Sequence, residues 1–323
     1  MSQISKRVMV IINPVSGTTS KDGLEYLVLS KLGDKFEIEV RYTTARGDAT
    51  KFGEEAVEQG YYAVIAAGGD GTINETATAL KDTDVIFGII PVGSGNGLAR
   101  HLYIPMDVEY ALDVIAEENA VDLDYCEVNG LPFFCTFGMG FDASVSWKFS
   151  QQSRRGFMTY IKSAIEEYLN YKTAEYVIQA NGKTLTENAF CVACCNASQY
   201  GNNAYIAPGA DMTDGLLDVT IIHAGSMIDT AIVGFDLISG TINKNILIET
   251  FKTDHITIER QADGPAHIDG EPVMMGEKLD VICHRGGLRT FIPTKTETFR
   301  PILTPIKSRW EEMIYKLKRF FEG

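Results

Sequence analysis

The chain has 323 residues, 45% of them hydrophobic and 22% charged, enough apolar material for two domains with separate cores. A formal net charge of −14 excludes a nucleic-acid-binding protein, because a phosphate backbone calls for a basic surface. Six cysteines in a chain this long are not a disulfide framework, and no stretch approaches the roughly 18 apolar residues that span a bilayer.

Met1 to Arg7 is polar, and the first apolar run, Val8 to Ile12, is too short for a secretory signal; a cytoplasmic protein is expected. Over the first 125 residues strand and helix patterns alternate. RVMVIIN reads as a strand ended by Pro14, Leu24 to Lys31 as a helix, and FEIEVRYT as a strand. Gly47 to Gln59 follows with helical spacing, then YYAVIAAGG as a buried strand, TINETATAL as a helix and VIFGIIPVG as a strand. Strands separated by helices mean βαβ units and a mostly parallel sheet.

Near Val121 to Asn129 the pattern changes. Short alternating strands (AEYVIQA, LLDVTII, HITIER, LDVICHRG) are separated by the turn signals Asn181-Gly182, Asp214-Gly215, Asp269-Gly270 and Gly286-Gly287. Helical segments interrupt them near Gly156 to Tyr171 and Met227 to Ser239. The segment AFCVACCN, with Cys191, Cys194 and Cys195, reads as a buried strand, since no partner pair stands at zinc-site spacing. The chain ends in SRWEEMIYKLKRFFE, a helix after Pro301 and Pro305. The expected architecture is an α/β domain over residues 1–125 plus about 296–323, and an antiparallel β-sandwich domain over 126–295.

The sharpest signal is Gly68-Gly69-Asp70-Gly71-Thr72, between a buried strand and a helix. Its glycines allow close backbone approach to a ligand, and amides at a helix start suit phosphate. Thr72-Ile73-Asn74-Glu75 reads as a capping box with Thr72 as N-cap. That leaves Asp70 free, and a carboxylate beside phosphate makes sense with a divalent cation between them; the plainer alternative is a glycine turn whose acid faces water. Ser94-Gly95-Asn96-Gly97, Asn13-Pro14-Val15-Ser16-Gly17 and Thr43-Thr44 also follow strands. In an open α/β sheet such carboxyl ends converge on one ligand crevice. Neither a Walker A sequence nor a G-x-G-x-x-G fingerprint is present.

The NP-x-SG, GGDGT-x-NE and P-x-GSGN-x-LA elements, in this order, resemble the catalytic domain of diacylglycerol and sphingosine kinases, and the chain as a whole resembles the bacterial diacylglycerol-kinase-like lipid kinases. The resemblance implies ATP and Mg2+ as cofactors, a lipid hydroxyl as acceptor, and peripheral contact with the inner face of the membrane. It implies a nucleotide held by Asn13, Pro14, Val15, Ser16, Gly17, Thr43, Gly69, Asp70, Gly71, Thr72, Ile73, Asn74, Glu75, Ser94 and Asn96. Glu271 would accept the hydroxyl proton, with Asp269 beside it in the catalytic loop. Asp211, Asp214 and Leu216 would bind a second magnesium ion, and Asp124 would support the Asp70 network through water. Asp142, in GMGFD, would face the lipid's polar head. Gly97 stands where many relatives carry an aspartate, which widens the expected acceptor from diacylglycerol to sphingoid bases and ceramide. The C-terminal helix, with Trp310, Phe320 and Phe321 among Lys316, Lys318 and Arg319, either lies in the bilayer interface or packs on the first domain. A homodimer is compatible with the sequence. The alternatives are an NAD-kinase-like enzyme and a nucleotide-binding regulator without turnover.

Overall fold

The computed structural model describes residues 6–17, 23–150, 171 and 173–294. The helices expected before Tyr171 and at the C-terminus lie outside the described residues. The first half runs β1 (Arg7–Ile12), α1 (Leu24–Leu32), β2 (Glu37–Tyr42), α2 (Asp48–Glu58), β3 (Ala63–Gly68), α3 (Asp70–Leu80), β4 (Ile86–Pro91), α4 (Gly97–His101) and α5 (Val108–Glu117). Its strands are parallel in the order β4-β3-β1-β2.

Alternation along the strands explains the two-sided core. Met9, Ile11, Val64 and Ala66 face Ala49 and Ala56 of α2 and Ile73, Ala77 and Leu80 of α3. Val8, Val10, Ile12, Ile65 and Ala67 face Val28 and Leu32 of α1 and Leu112 and Ile115 of α5. Strands covered on both faces must be apolar where they are buried, as β3 and β4 are and β1 is from Val8 onward; β2, at the edge, keeps the alternating pattern EIEVRY.

The second half runs β5 (Ala120–Val128), β6 (Leu131–Phe133), β7 (Thr136–Gly140), α6 (Phe141–Ser150), β8 (Ala174–Ala180), β9 (Lys183–Cys195), β10 (Leu217–His223), α7 (Met227–Ser239), β11 (Ile248–Thr253), β12 (His255–Arg260), β13 (Gly264–Ile268), β14 (Glu271–Met275) and β15 (Lys278–Phe291). Its strand pairs are antiparallel. AFCVACCN is the buried end of β9: Cys191 and Cys195 enter one core cluster and Cys194 another, so the three thiols straddle the sheet and share no site. Among the described residues no helix is long and apolar enough to cross a membrane.

No linker separates the halves. β5 runs through residue 125, and β15 lies against it along most of its length. β15 begins beside β12 and ends with Thr290 next to Phe87 of β4, in parallel. Leu288 and Phe291 consequently belong to first-half cores, although a division at 126–295 puts them in the second domain. The long strand is shared, and it holds the strand ends of the first half against the second.

A second tie is His101, at the end of α4. Its Nδ1 accepts from the Ser198 amide at 3.1 Å and lies 3.0 Å from Ser198 Oγ. Burial holds the imidazole pKa down from 6.5 to about 4, with Asp211 pulling weakly the other way. The folded state therefore prefers neutral His101, and its contribution is complete above pH 6.5 and lost as the pH falls toward 4. That loss amounts to about 3 kcal/mol by pH 4. Urea unfolding of wild type and His101→Asn across this range should show the wild-type curve falling more steeply by about that amount; parallel curves would contradict it.

Candidate active site

The glycine loops at the strand ends are glycine because their backbones touch. A Cβ on Gly93 would lie 2.4 Å from Gly69 Cα, and one on Gly17, whose φ is +65°, would lie 1.9 Å from the Val92 carbonyl oxygen. Asn13 locks the first loop in place: its Nδ2 donates to Thr72 Oγ1 at 3.0 Å and its Oδ1 accepts from the Val15 amide at 3.1 Å. Pro14, Val15, Ser94 and Gly71 remain exposed on the rim. Thr43 follows β2 with its amide on the Ile12 carbonyl.

The helix after GGDGT does not begin where the capping pattern places it. α3 starts at Asp70, with Gly69 as an extended N-cap and no side chain bonded to the cap. Thr72 and Glu75 are inside the helix and work sideways. Thr72 takes the Asn13 bond, and Glu75 Oε1 accepts from the Gly47 amide at 2.9 Å, tying the loop after β2 to α3. Thr-x-x-Glu matches the box template, but close packing of Gly69 on Gly93 starts the helix nearly a full turn earlier.

Asp70 is also more engaged than that pattern implies. Its Oδ2 accepts from the Asn96 amide at 3.0 Å and its Oδ1 from the Gly97 amide at 2.7 Å. Asn96, at φ +52°, folds its own amide onto Gly93. Asp70 thus shapes the next strand-end loop. Each carboxylate oxygen retains a lone pair, and magnesium brought in with phosphates needs only one or two protein carboxylates, so Asp70 fits the ion that the resemblance implies.

Beyond Asp70 lies a narrow crevice between the halves. One wall is Asp70, Ile73, Asn74, Gly97 and Leu98; the other is Phe134, Cys135, Thr136, Tyr200 and Asp269. Asp269 builds the second wall. It sits in the two-residue turn between β13 and β14, with φ +48° at Asp269 and +83° at Gly270, the geometry of a type I′ hairpin. Its carboxylate accepts from three consecutive amides, Phe134 (2.9 Å), Cys135 (2.7 Å) and Thr136 (2.9 Å), and from Asn74 Nδ2 at 2.7 Å. Burial pushes its pKa up, and the four donors pull against it. With both oxygens so committed, Asp269 is placed to position the loop.

Glu271 stands one turn further on, its side chain 54% exposed, with Oε2 3.8 Å from Arg46 Nη1. Arg46 belongs to the loop after β2, so this contact spans the two halves. Asp142 lies behind the crevice wall. Its Oδ1 accepts from the Ala143 amide, and its Oδ2 from Tyr200 OH at 2.8 Å and from His267 Nε2 at 3.0 Å. Tyr200, not Asp142, lines the crevice, and burial holds its phenol pKa well above the usual value, so it stays a donor.

Asp124 and the 211–216 loop form a separate cluster. Asp124 is fully buried, and accepts from the Gly215 amide at 2.6 Å and the Gly286 amide at 2.7 Å. Asp211 folds onto Thr213. Asp214 accepts from the Leu216 amide at 2.9 Å and pairs with Lys252 Nζ at 2.7 Å. A lysine ammonium thus stands against the carboxylate expected to hold the second magnesium ion, and these residues do not fit that ion as arranged. No group of three or more His, Cys, Asp or Glu among the described residues is placed to hold a metal. Tyr200, Arg46, His267 and Lys252 carry no local motif; only the fold brings them to these positions.

Two family models match the chain: the diacylglycerol kinase catalytic domain over residues 7–128, and the YegS C-terminal NAD kinase beta sandwich-like domain over residues 136–281. A probable lipid kinase YegS-like of Yersinia pestis (strain Pestoides F) is 30% identical over 243 residues, covering 73% of this chain and 81% of that protein. The same holds for a protein of that description from Yersinia pseudotuberculosis. Among solved structures, a putative diacylglycerol kinase from Bacillus anthracis str. Sterne superposes with a TM-score of 0.74 at 24% identity, over 91% of this chain and 99% of that one; that likeness is one of fold. The chain belongs to the YegS-like lipid kinases, a family of kinases built on the diacylglycerol kinase catalytic domain.

Proposed function

We propose that the chain transfers the γ-phosphoryl group of ATP, in the presence of Mg2+, to a hydroxyl of a membrane lipid. The observation that carries this reading is the placement of Asp70: an acid at the start of α3, bonded to the amides of Asn96 and Gly97, at the floor of a crevice whose far wall is the other half of the molecule. Phosphoryl transfer asks for positioning and charge neutralisation. In the packed loops at 13–17, 69–75 and 93–97, the backbone amides not already taken by Asn13, Asp70 and Asn96 would serve the nucleotide phosphates, and Asp70 is the residue that would hold Mg2+ there. Bound with the nucleotide, that ion neutralises charge on the transferring phosphate.

Glu271 accepts the proton of the lipid hydroxyl, whose oxygen bonds to the γ-phosphorus as the bond to the ADP oxygen breaks. Its exposure leaves it accessible to a substrate entering between the halves, where it also pairs with Arg46 at 3.8 Å. Gly97 supports an acceptor broader than diacylglycerol, extending to sphingoid bases and ceramide. A Cβ there would sit in ordinary van der Waals contact, 3.5 Å from the Gly201 amide and 3.6 Å from Cys135 Sγ, and glycine leaves that space beside the crevice wall open. Contact with the membrane surface is part of the same reading. α7 leaves Ile232, Phe235 and Ile238 exposed, and Ile246 beyond it is 97% exposed, apolar area suited to a lipid surface.

Transfer of labelled γ-phosphate should be screened over diacylglycerol, phosphatidylglycerol, sphingoid bases and ceramide in detergent micelles. One of these should be phosphorylated by wild type. Asp70→Ala should abolish transfer, and Glu271→Ala should lower kcat by about 10²–10⁴-fold in a protein that still folds. Near wild-type turnover in either variant would sink that residue's role. Asp269→Ala should behave differently. It strands three backbone amides, so unfolding stability should drop by about 3 kcal/mol or more, and an unchanged urea midpoint would contradict the role given to Asp269.

A further inference from the structure

The loop from Gly209 to Asp218 gathers three acids, and a cation is needed to hold them. The structure supplies one from the neighbouring strand. In the antiparallel pairing of β10 with β11, Asp218 lies opposite Lys252. The lysine reaches back over the loop, with Nζ 2.7 Å from Asp214 Oδ2, 3.2 Å from Asp218 Oδ2 and 3.3 Å from the Gly209 carbonyl oxygen. The contact with Asp218 is an ion pair without an aligned hydrogen bond.

We propose that the Lys252 ammonium is the resident cation of this loop, so that the chain takes no divalent ion there. An ammonium offers three donors and no acceptor, and three oxygens surround this one. Magnesium demands near-octahedral oxygen ligands at about 2.0–2.1 Å, and calcium takes about six to eight oxygens. Either would have to share Asp214 with a positive charge already at 2.7 Å. Asp211 is folded onto Thr213, and the second oxygen of Asp214, bonded to the Leu216 amide with one lone pair left, is a single ligand where either ion needs several.

The consequence reaches beyond the loop. Gly215 donates to Asp124, whose amide in turn donates to the Met212 carbonyl at 2.7 Å and whose other oxygen takes Gly286 of β15. Lys252 therefore holds the loop that is bonded to β5 and β15, the strands shared by both halves. A built-in cation makes that seam independent of the metal supply, and this role does not depend on which substrate the crevice takes.

The test is thermal unfolding of the nucleotide-free, EDTA-dialysed full chain, with and without added Mg2+ or Ca2+. The wild-type midpoint should be the same in all three conditions. Lys252→Met should unfold earlier in EDTA and recover with Mg2+ or Ca2+, by on the order of 5 °C at a hundred-fold excess over Kd. Lys252→Arg, which keeps the charge, should stay unresponsive. A wild-type midpoint that falls in EDTA and recovers with either ion, with the response lost in Asp214→Asn, would overturn the proposal. So would a folded Lys252→Met protein that ignores both ions. If Lys252→Met fails to fold, the wild-type and Asp214→Asn comparison decides alone.

Discussion

The carboxylate of Asp269, held by three consecutive amides and the Asn74 side chain, is the contact that makes two halves into one site. Hydrogen bonds to an ionised acceptor are the strong ones, and their removal leaves buried donors unpaired. Asn74 rides on α3, the helix that opens with Asp70, while Phe134 to Thr136 form the opposing wall. The width of the crevice is therefore set by one side chain bonded to both walls. Where Glu271 projects follows from the same turn, since it begins the strand on the far side of Gly270.

The same device recurs. Asp70 takes the amides of Asn96 and Gly97, and Asp124 takes those of Gly215 and Gly286. Each acid organises loops that no regular ladder would satisfy, which is the accounting that buried backbone groups require. This eases the conflict between a charge of −14 and an anionic nucleotide. Part of the acidity is turned inward onto backbone donors, and the surface at the strand ends is made of glycine loops instead.

Much of the fold was legible in the sequence because its signals are local. Apolar runs marked β1, β3 and β4, glycine loops marked their ends, and Asn-Gly and Asp-Gly marked the hairpins at 181–182 and 269–270. What stayed hidden depends on distant pairing. Asn74 and Asp269 are 195 residues apart, and Tyr200 and Asp142 are 58 apart. Lys252 meets Asp218 only through the β10–β11 register. The start of α3 was misplaced for the opposite reason. A local template matched at Thr72 to Glu75, but packing between loops decided where the helix begins. The division of the chain was blurred by β15, a single strand that serves both halves.

The central claim is that the strand-end loops around Asp70 hold the nucleotide. Hydrogen–deuterium exchange with and without a non-hydrolysable ATP analogue and Mg2+ tests it directly. Slowed exchange is expected at residues 13–17, 69–75 and 93–97, with little change in β11 and β12. Saturating ligand with no protection at these loops, or protection confined to the second half, would contradict it.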